Sequence, residues 1–252
     1  MADVTVKELR AKPGAWVDLG LTLPLFILYH LGVVFLGVKN GTDFVTGQVM
    51  QLAEGSTPAY LGITLAIGLA FSIPFVLLAR GQVFQPKKFL QMAVEGSIYA
   101  TLMGVLVPMT VGYLFAAAGG IATQGRFAGF IMSLGAGFYE ELAFRVMLFG
   151  LGGKLLLWLT AKQKMSALDG AQVQGTLTLR SMAILLSWAI VCAGIFSGIH
   201  YVGELGDAFQ LRSFVARTLL GLALTFIFVT RGFAAAVWTH AIYDIWVLVL
   251  RP

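Results

Sequence analysis

The chain predicts an all-α fold, a polytopic transmembrane helical bundle of about seven helices, with six to eight the range its apolar runs allow. Three observations carry this expectation. Hydrophobic residues make up 58% of the 252 residues and charged residues only 12%, where an ordinary soluble domain carries about 25% charged residues. Mean hydropathy is +0.86. Several apolar runs reach the ~20 residues that a helix needs to cross a bilayer, and the ten-residue alternation of a membrane β-barrel is not seen.

The first run, near 16–38, is longer than the apolar core of a signal peptide and lacks a small-residue cleavage site after it, so it is expected to stay as an anchor. Further runs lie near 60–79, 90–118, 127–158, 183–200, 213–230 and 232–250. Pro24, Pro74 and Pro108 fall inside runs and are expected to kink them, as membrane helices tolerate when neighbours satisfy the freed backbone groups. The third and fourth runs exceed one crossing. Gly135 and Gly137 mark an expected break just before Glu140. Residues 160–180 form the one long polar loop. With no internal repeat, low-complexity tract or composition boundary, residues 1–252 read as a single membrane domain.

The net charge of +5 is scattered between apolar runs, which suits topology determinants rather than a nucleic-acid surface. Lys7, Arg10 and Lys12 precede the first run and Lys39 alone follows it. Arg80, Lys87 and Lys88 come next, then Arg126 alone, then Lys154, Lys162, Lys164 and Arg180. This alternation puts the amino terminus and the 160–180 loop in the cytoplasm of a multi-pass protein, expected in a bacterial or archaeal cell membrane. It puts the end of the fifth run, at His200, near the outer face. The single cysteine, Cys192, excludes an intramolecular disulfide and reads as a buried small hydrophobe.

Ionisable groups inside a span are costly and tend to face a cavity or one another. Glu140, Glu141 and Arg145 lie in the fourth run, His200 ends the fifth, and His240 and Asp244 lie in the seventh; two of the three histidines belong to this set. Glu141 and Arg145 stand four apart, acid first, the favourable order for a helical ion pair that neutralises itself. Glu140 is left as a carboxylate that must find a cation, hydrogen-bond donors or a proton, as a general base does. His240 and Asp244 share a helix face, so the carboxylate can fix the imidazole tautomer. Phe196 and His200 repeat the spacing, with an aromatic ring one turn below an imidazole. Glu140, His200 and His240 come from three helices and, if brought together, can hold and deprotonate one water. Tyr29-His30 has no acidic partner at helical spacing and reads as interfacial or packing. Glu95, close to Lys87 and Lys88, reads as snorkelling to the surface.

Three motifs in order, Glu140-Glu141-x-x-x-Arg145, Phe196-x-x-x-His200 and His240-x-x-x-Asp244, resemble those of the CAAX protease and bacteriocin-processing family of intramembrane endopeptidases. That family includes the type II CAAX prenyl endopeptidases and the "abortive infection" membrane proteins. The resemblance covers roughly 127–250, which would carry the catalytic core. It implies that Glu140 activates water with His200 assisting, and that His240 with its partner at 244 stabilises the oxyanion. Glu141, Arg145 and Phe196 would support these groups. The family commonly has asparagine where this chain has Asp244. An ionised aspartate cannot donate a hydrogen bond, so its expected role is to hold His240 protonated.

The substrate implied is a protein or peptide with a membrane-proximal cleavage site: a prenylated tail, a leader peptide or a carboxyl-terminal sorting tail. No cofactor is expected. A metal alternative uses the same residues, since two histidines and a carboxylate suit zinc, although no His-Glu-x-x-His pair is present. Two other classes fit the same charges: a non-catalytic immunity or scaffold protein, and a proton-coupled transporter, which the lack of a repeat disfavours. The bilayer is the other expected partner, and nucleic acid is not one.

Overall fold

The computed structural model describes residues 14–36, 39–78, 87–114, 125–168, 170–203 and 206–250. Within them run nine helices: α1 Ala15–Leu21, α2 Leu23–Leu36, α3 Phe44–Leu52, α4 Thr57–Leu78, α5 Lys87–Leu114, α6 Arg126–Ala161, α7 Leu179–Ile199, α8 Leu211–Arg231 and α9 Phe233–Leu250. Helices α5 to α9 are each long and apolar enough to cross a membrane, and α1 with α2 form a sixth such unit. The run expected near 60–79 is α4; the side chains of residue 68 and of residues 71–78, Pro74 among them, lie outside the described residues. So do Lys7, Arg10, Lys12, Arg80 and the end of the third run beyond 114.

The chain is a multi-pass membrane protein, and its surface has the inverse polarity of a soluble one. Phe35, Leu90, Leu106, Leu186, Ile190 and Phe226 are exposed, while Asp18, Glu141, Arg145 and His240 are buried. Only a bundle bathed in lipid gains by turning large apolar side chains outward and enclosing its charges.

Two expected breaks resolve differently. Pro24 lies in the first turn of α2, and α1 and α2 meet at 42°. The proline ring clashes with the carbonyl four residues back, so the chain bends there. In α6 the expected break does not occur. The helix runs on from Arg126 to Ala161, but its hydrogen bonding widens to the π type over Ala136–Glu140 and again over Leu142–Leu151. Gly137 serves close approach instead: a Cβ there would sit 2.7 Å from Ala241 Cβ and 2.8 Å from the Val237 carbonyl oxygen on α9. Likewise α5 runs unbroken through Pro108.

Helix α9 is the axis of the bundle. Ala234, Ala235, Ala236 and Val237 are fully buried, and small residues of this kind let membrane helices pack backbone to backbone. The start of α9 is fixed from a distance. The buried carboxylate of Asp18, on α1, accepts hydrogen bonds from the backbone N–H groups of Phe233 and Ala234, the latter at 2.9 Å. These are first-turn donors that a helix cannot satisfy itself, so Asp18 caps α9 in trans. Gly232 precedes them at φ +101, where a Cβ would meet Asp18 Oδ2 at 2.5 Å.

Two segments between the apolar runs, 39–56 and the 160–180 loop, are ordered. Between the first two runs lies α3, capped by Asp43, whose side chain accepts from the Val45 and Thr46 N–H groups. The 160–180 segment folds into a hairpin, with Ser166 N–H donating to the Gln172 carbonyl and Gln174 N–H to the Lys164 carbonyl, both at 2.9 Å. Its Met165, Ala167 and Ala171 are buried. Glu95 departs from the surface reading: Arg231 donates to it twice, Nε at 3.0 Å and Nη2 at 2.7 Å, which ties α5 to the end of α8.

Candidate functional site

Glu140, His200 and His240 converge. Glu140 Oε2 lies 3.9 Å from Nε2 of His200 and 3.9 Å from Nε2 of His240. Those gaps exceed a direct hydrogen bond, and are spanned when one water sits between the groups. All three line a cavity of about 440 Å³ together with Phe196 and Asp244. Its flank is apolar, from Met103, Val107 and Val111 on α5 and Leu220 and Leu224 on α8, and its other wall carries Gln210, Arg212, Ser213 and Arg217.

The π-helical turns of α6 put Glu140 and Glu141 to different uses, and short π segments recur at functional sites. Glu140 faces the cavity. Glu141, fully buried, sends Oε1 to two partners, Arg145 Nη1 at 3.0 Å and His240 Nδ1 at 2.7 Å. The pair expected to neutralise itself thus also holds an imidazole on another helix. Asp244 does face His240, but at 3.5 Å and from the opposite nitrogen, Nε2. The tautomer-fixing contact that helical spacing assigned to Asp244 is supplied mainly by Glu141, because a buried 2.7 Å bond outweighs a longer, partly solvated one.

His200 closes α7, and its Nδ1 is 2.8 Å from the Phe196 carbonyl oxygen, which as an acceptor requires the N–H there. Nε2 is thereby turned toward Glu140. The Phe196 ring is a shared platform. It lies edge-to-face with His200 at 5.2 Å and with His240 at 6.0 Å, and the Arg145 guanidinium stacks over it at 4.5 Å. Arg145 is itself buried and donates to the Gly221 carbonyl on α8 at 3.3 Å.

Behind the site is a polar layer that the sequence did not disclose. Asn40 Nδ2 donates to Glu140 Oε1 at 3.1 Å. The Asn40 backbone N–H donates to the Tyr29 hydroxyl, which donates in turn to Asp43 Oδ2, both at 2.8 Å. His30 is a packing histidine rather than an interfacial one, 2% exposed. It is hydrogen-bonded to the Tyr60 hydroxyl at 3.0 Å and the Tyr139 hydroxyl at 2.6 Å. The Lys39-Asn40-Gly41-Thr42-Asp43 stretch carries turn chemistry, but no local pattern links it to a glutamate on a distant helix. Cys192 is buried, as expected. Among the described residues no three histidine, cysteine, aspartate or glutamate side chains are grouped to hold a metal ion.

A cluster of this kind, buried carboxylates and imidazoles around a cavity in a helical membrane bundle, has the residue types that general acid–base chemistry uses. Comparison with known proteins specifies the group further. Residues 122–246 match the model of the family described as "Type II CAAX prenyl endopeptidase Rce1-like", and through that region the chain belongs to the CAAX protease family. The match spans α6 to most of α9 and therefore all three motifs. No curated protein and no solved structure matches the chain. The family is one of proteases, whose substrates are proteins or peptides.

Proposed function

We propose that this chain is an intramembrane endopeptidase in which Glu140 activates a water for attack on a peptide carbonyl. The observation that carries the reading is the approach of one carboxylate oxygen, Glu140 Oε2, to within 3.9 Å of two imidazole nitrogens at a cavity wall. A water held there gives its proton to Glu140 as its oxygen bonds to the carbonyl carbon. His200 holds the water from the other side. His240, its Nδ1 anchored by Glu141, turns Nε2 to the cavity, where the carbonyl oxygen gains charge. The proton on Glu140 then passes to the leaving amine as the C–N bond breaks. Asp244 tunes His240, and Glu141, Arg145 and Phe196 support the frame. The reaction uses no metal in this reading.

The substrate proposed is a membrane-proximal peptide segment, with a prenylated carboxyl-terminal tail first among the candidates. A cavity apolar along α5 and α8 and polar at residues 210–217 suits a chain that is greasy at one end and charged at the other. Leader peptides and sorting tails have the same division.

The test is cleavage of a quenched fluorescent peptide bearing farnesyl-cysteine three residues from its carboxyl end, by purified protein in lipid vesicles. Cleavage by the parent and its loss in Glu140→Gln, at unchanged thermal stability, is the expected result. A chelator should leave the rate unchanged; loss reversed by added zinc points to the metal alternative. A Glu140→Gln variant that cuts as fast as the parent overturns the proposal.

A further inference from the structure

We infer that Asn40 is a positioning residue for Glu140, supplied by the amino-terminal part of the chain, outside the region that the family model matches. The inference rests on the proposed role of Glu140. A carboxylate has two oxygens, and a base aimed at one water must present a defined one. Oε2 faces both imidazoles at 3.9 Å, while Oε1 accepts from the Asn40 amide at 3.1 Å. The amide therefore selects which oxygen meets the water and fixes the carboxylate's rotation.

The amide is held firmly enough to do this. Asn40 is 7% exposed, and its Oδ1 accepts from the Thr42 N–H at 2.8 Å and the Thr42 hydroxyl at 2.5 Å. Those two donors identify Oδ1 as the acceptor and leave Nδ2 as the end that must donate. The loop is pinned in turn by the bond from Asn40 N–H to Tyr29 and by the Tyr29 to Asp43 bond, each 2.8 Å. Nothing in a merely structural turn requires the donor. Asp and Asn make this local turn equally well, so the turn alone does not call for the amide.

That difference gives the test. Asn40→Asp keeps the shape and the Thr42 bonds but replaces the donor with a negative oxygen facing Glu140. The parent and Glu140→Gln, run on the same farnesylated peptide, first establish whether Glu140 is the base. If the parent cuts and Glu140→Gln does not, that reading stands and Asn40 is tested on its own. The expected result for Asn40→Asp is a kcat lower by about 10- to 100-fold, the scale of a lost hydrogen bond to a charged group. KM should stay within about twofold, and because a second carboxylate beside buried Glu140 lowers thermal stability, kcat is read per folded protein and Asn40→Ser is measured beside it. A kcat within twofold of the parent's overturns the inference, as does a rise in KM alone. If Asn40→Asp is not recovered folded, the Asn40→Ser measurement stands alone. Serine makes a similar turn and is too short to reach Glu140, and the same two readings decide.

Discussion

Glu141 on α6 and His240 on α9, 99 positions apart in the chain, are joined at 2.7 Å through Oε1 and Nδ1. The bond makes the second glutamate of the motif the orienting group of a histidine that the cavity uses. It also puts the fully buried Arg145 in the same circuit, at 3.0 Å from the same oxygen.

Glu141→Gln is therefore expected to fail twice. Neutralising one partner leaves the Arg145 charge buried without its counter-ion, which costs about 3–5 kcal/mol. Thermal unfolding in detergent should show a large fall in Tm, and whatever folds should cut slowly because the imidazole is no longer fixed. Wild-type stability in this variant would mean that Arg145 is held by its backbone contact to Gly221 alone.

Asp244 should matter less. A partly exposed ion pair is worth about 1 kcal/mol or less, so Asp244→Ala is expected to lower kcat by less than about tenfold. Asp244→Asn should lie between it and the parent. Kinetics of these two beside Glu141→Gln decide the order; an Asp244→Ala loss as deep as that of Glu141→Gln would return the orienting role to Asp244.

Gly137→Ala probes the contact of α6 with α9. The added methyl would lie 2.7 Å from Ala241 Cβ, and overpacking of this sort costs about 1–3 kcal/mol. Since the helices that must separate carry Glu140 and His240, cleavage should drop along with Tm. Gly194→Ala, where a Cβ meets nothing within 4 Å, is the control and should be silent in both measurements.

The trans cap predicts a loss far from the cavity. Asp18→Ala leaves the Phe233 and Ala234 N–H groups unpaired at the buried start of α9, an expected cost of about 1–2 kcal/mol. A lower unfolding temperature with KM unchanged is the expected outcome. A variant as stable as the parent would show that water reaches those groups.

Orientation is open to labelling. From the charge alternation, the 200–213 end of the bundle, and with it the cavity's polar wall, is expected outside the cytoplasm. Single cysteines at exposed Val202 and Thr176, in a Cys192→Ala background, separate the sides. Val202→Cys should react with a membrane-impermeant reagent added to intact cells and Thr176→Cys only after lysis. The opposite pattern reverses the assignment, and with it the side from which a substrate enters.

Class, most of the span positions and the three motifs were legible because each depends on local pattern. An apolar run of twenty residues has few alternatives in a bilayer, and spacings of four residues fix which side chains share a helix face. Glu141 with Arg145, Phe196 with His200 and His240 with Asp244 all kept the neighbours that those spacings gave them. The tertiary structure decided everything that depends on which helices touch. It turned Gly137 from a break into a contact, gave the tautomer of His240 to Glu141, paired Glu95 with Arg231, capped α9 with Asp18 and set Asn40 against Glu140. Gly137 answers to close packing alone, and the physical reason for the other four is shared. A buried polar group must be satisfied by whichever partner the packing brings within about 3 Å, and packing is a property of the assembled bundle that no spacing along one helix contains.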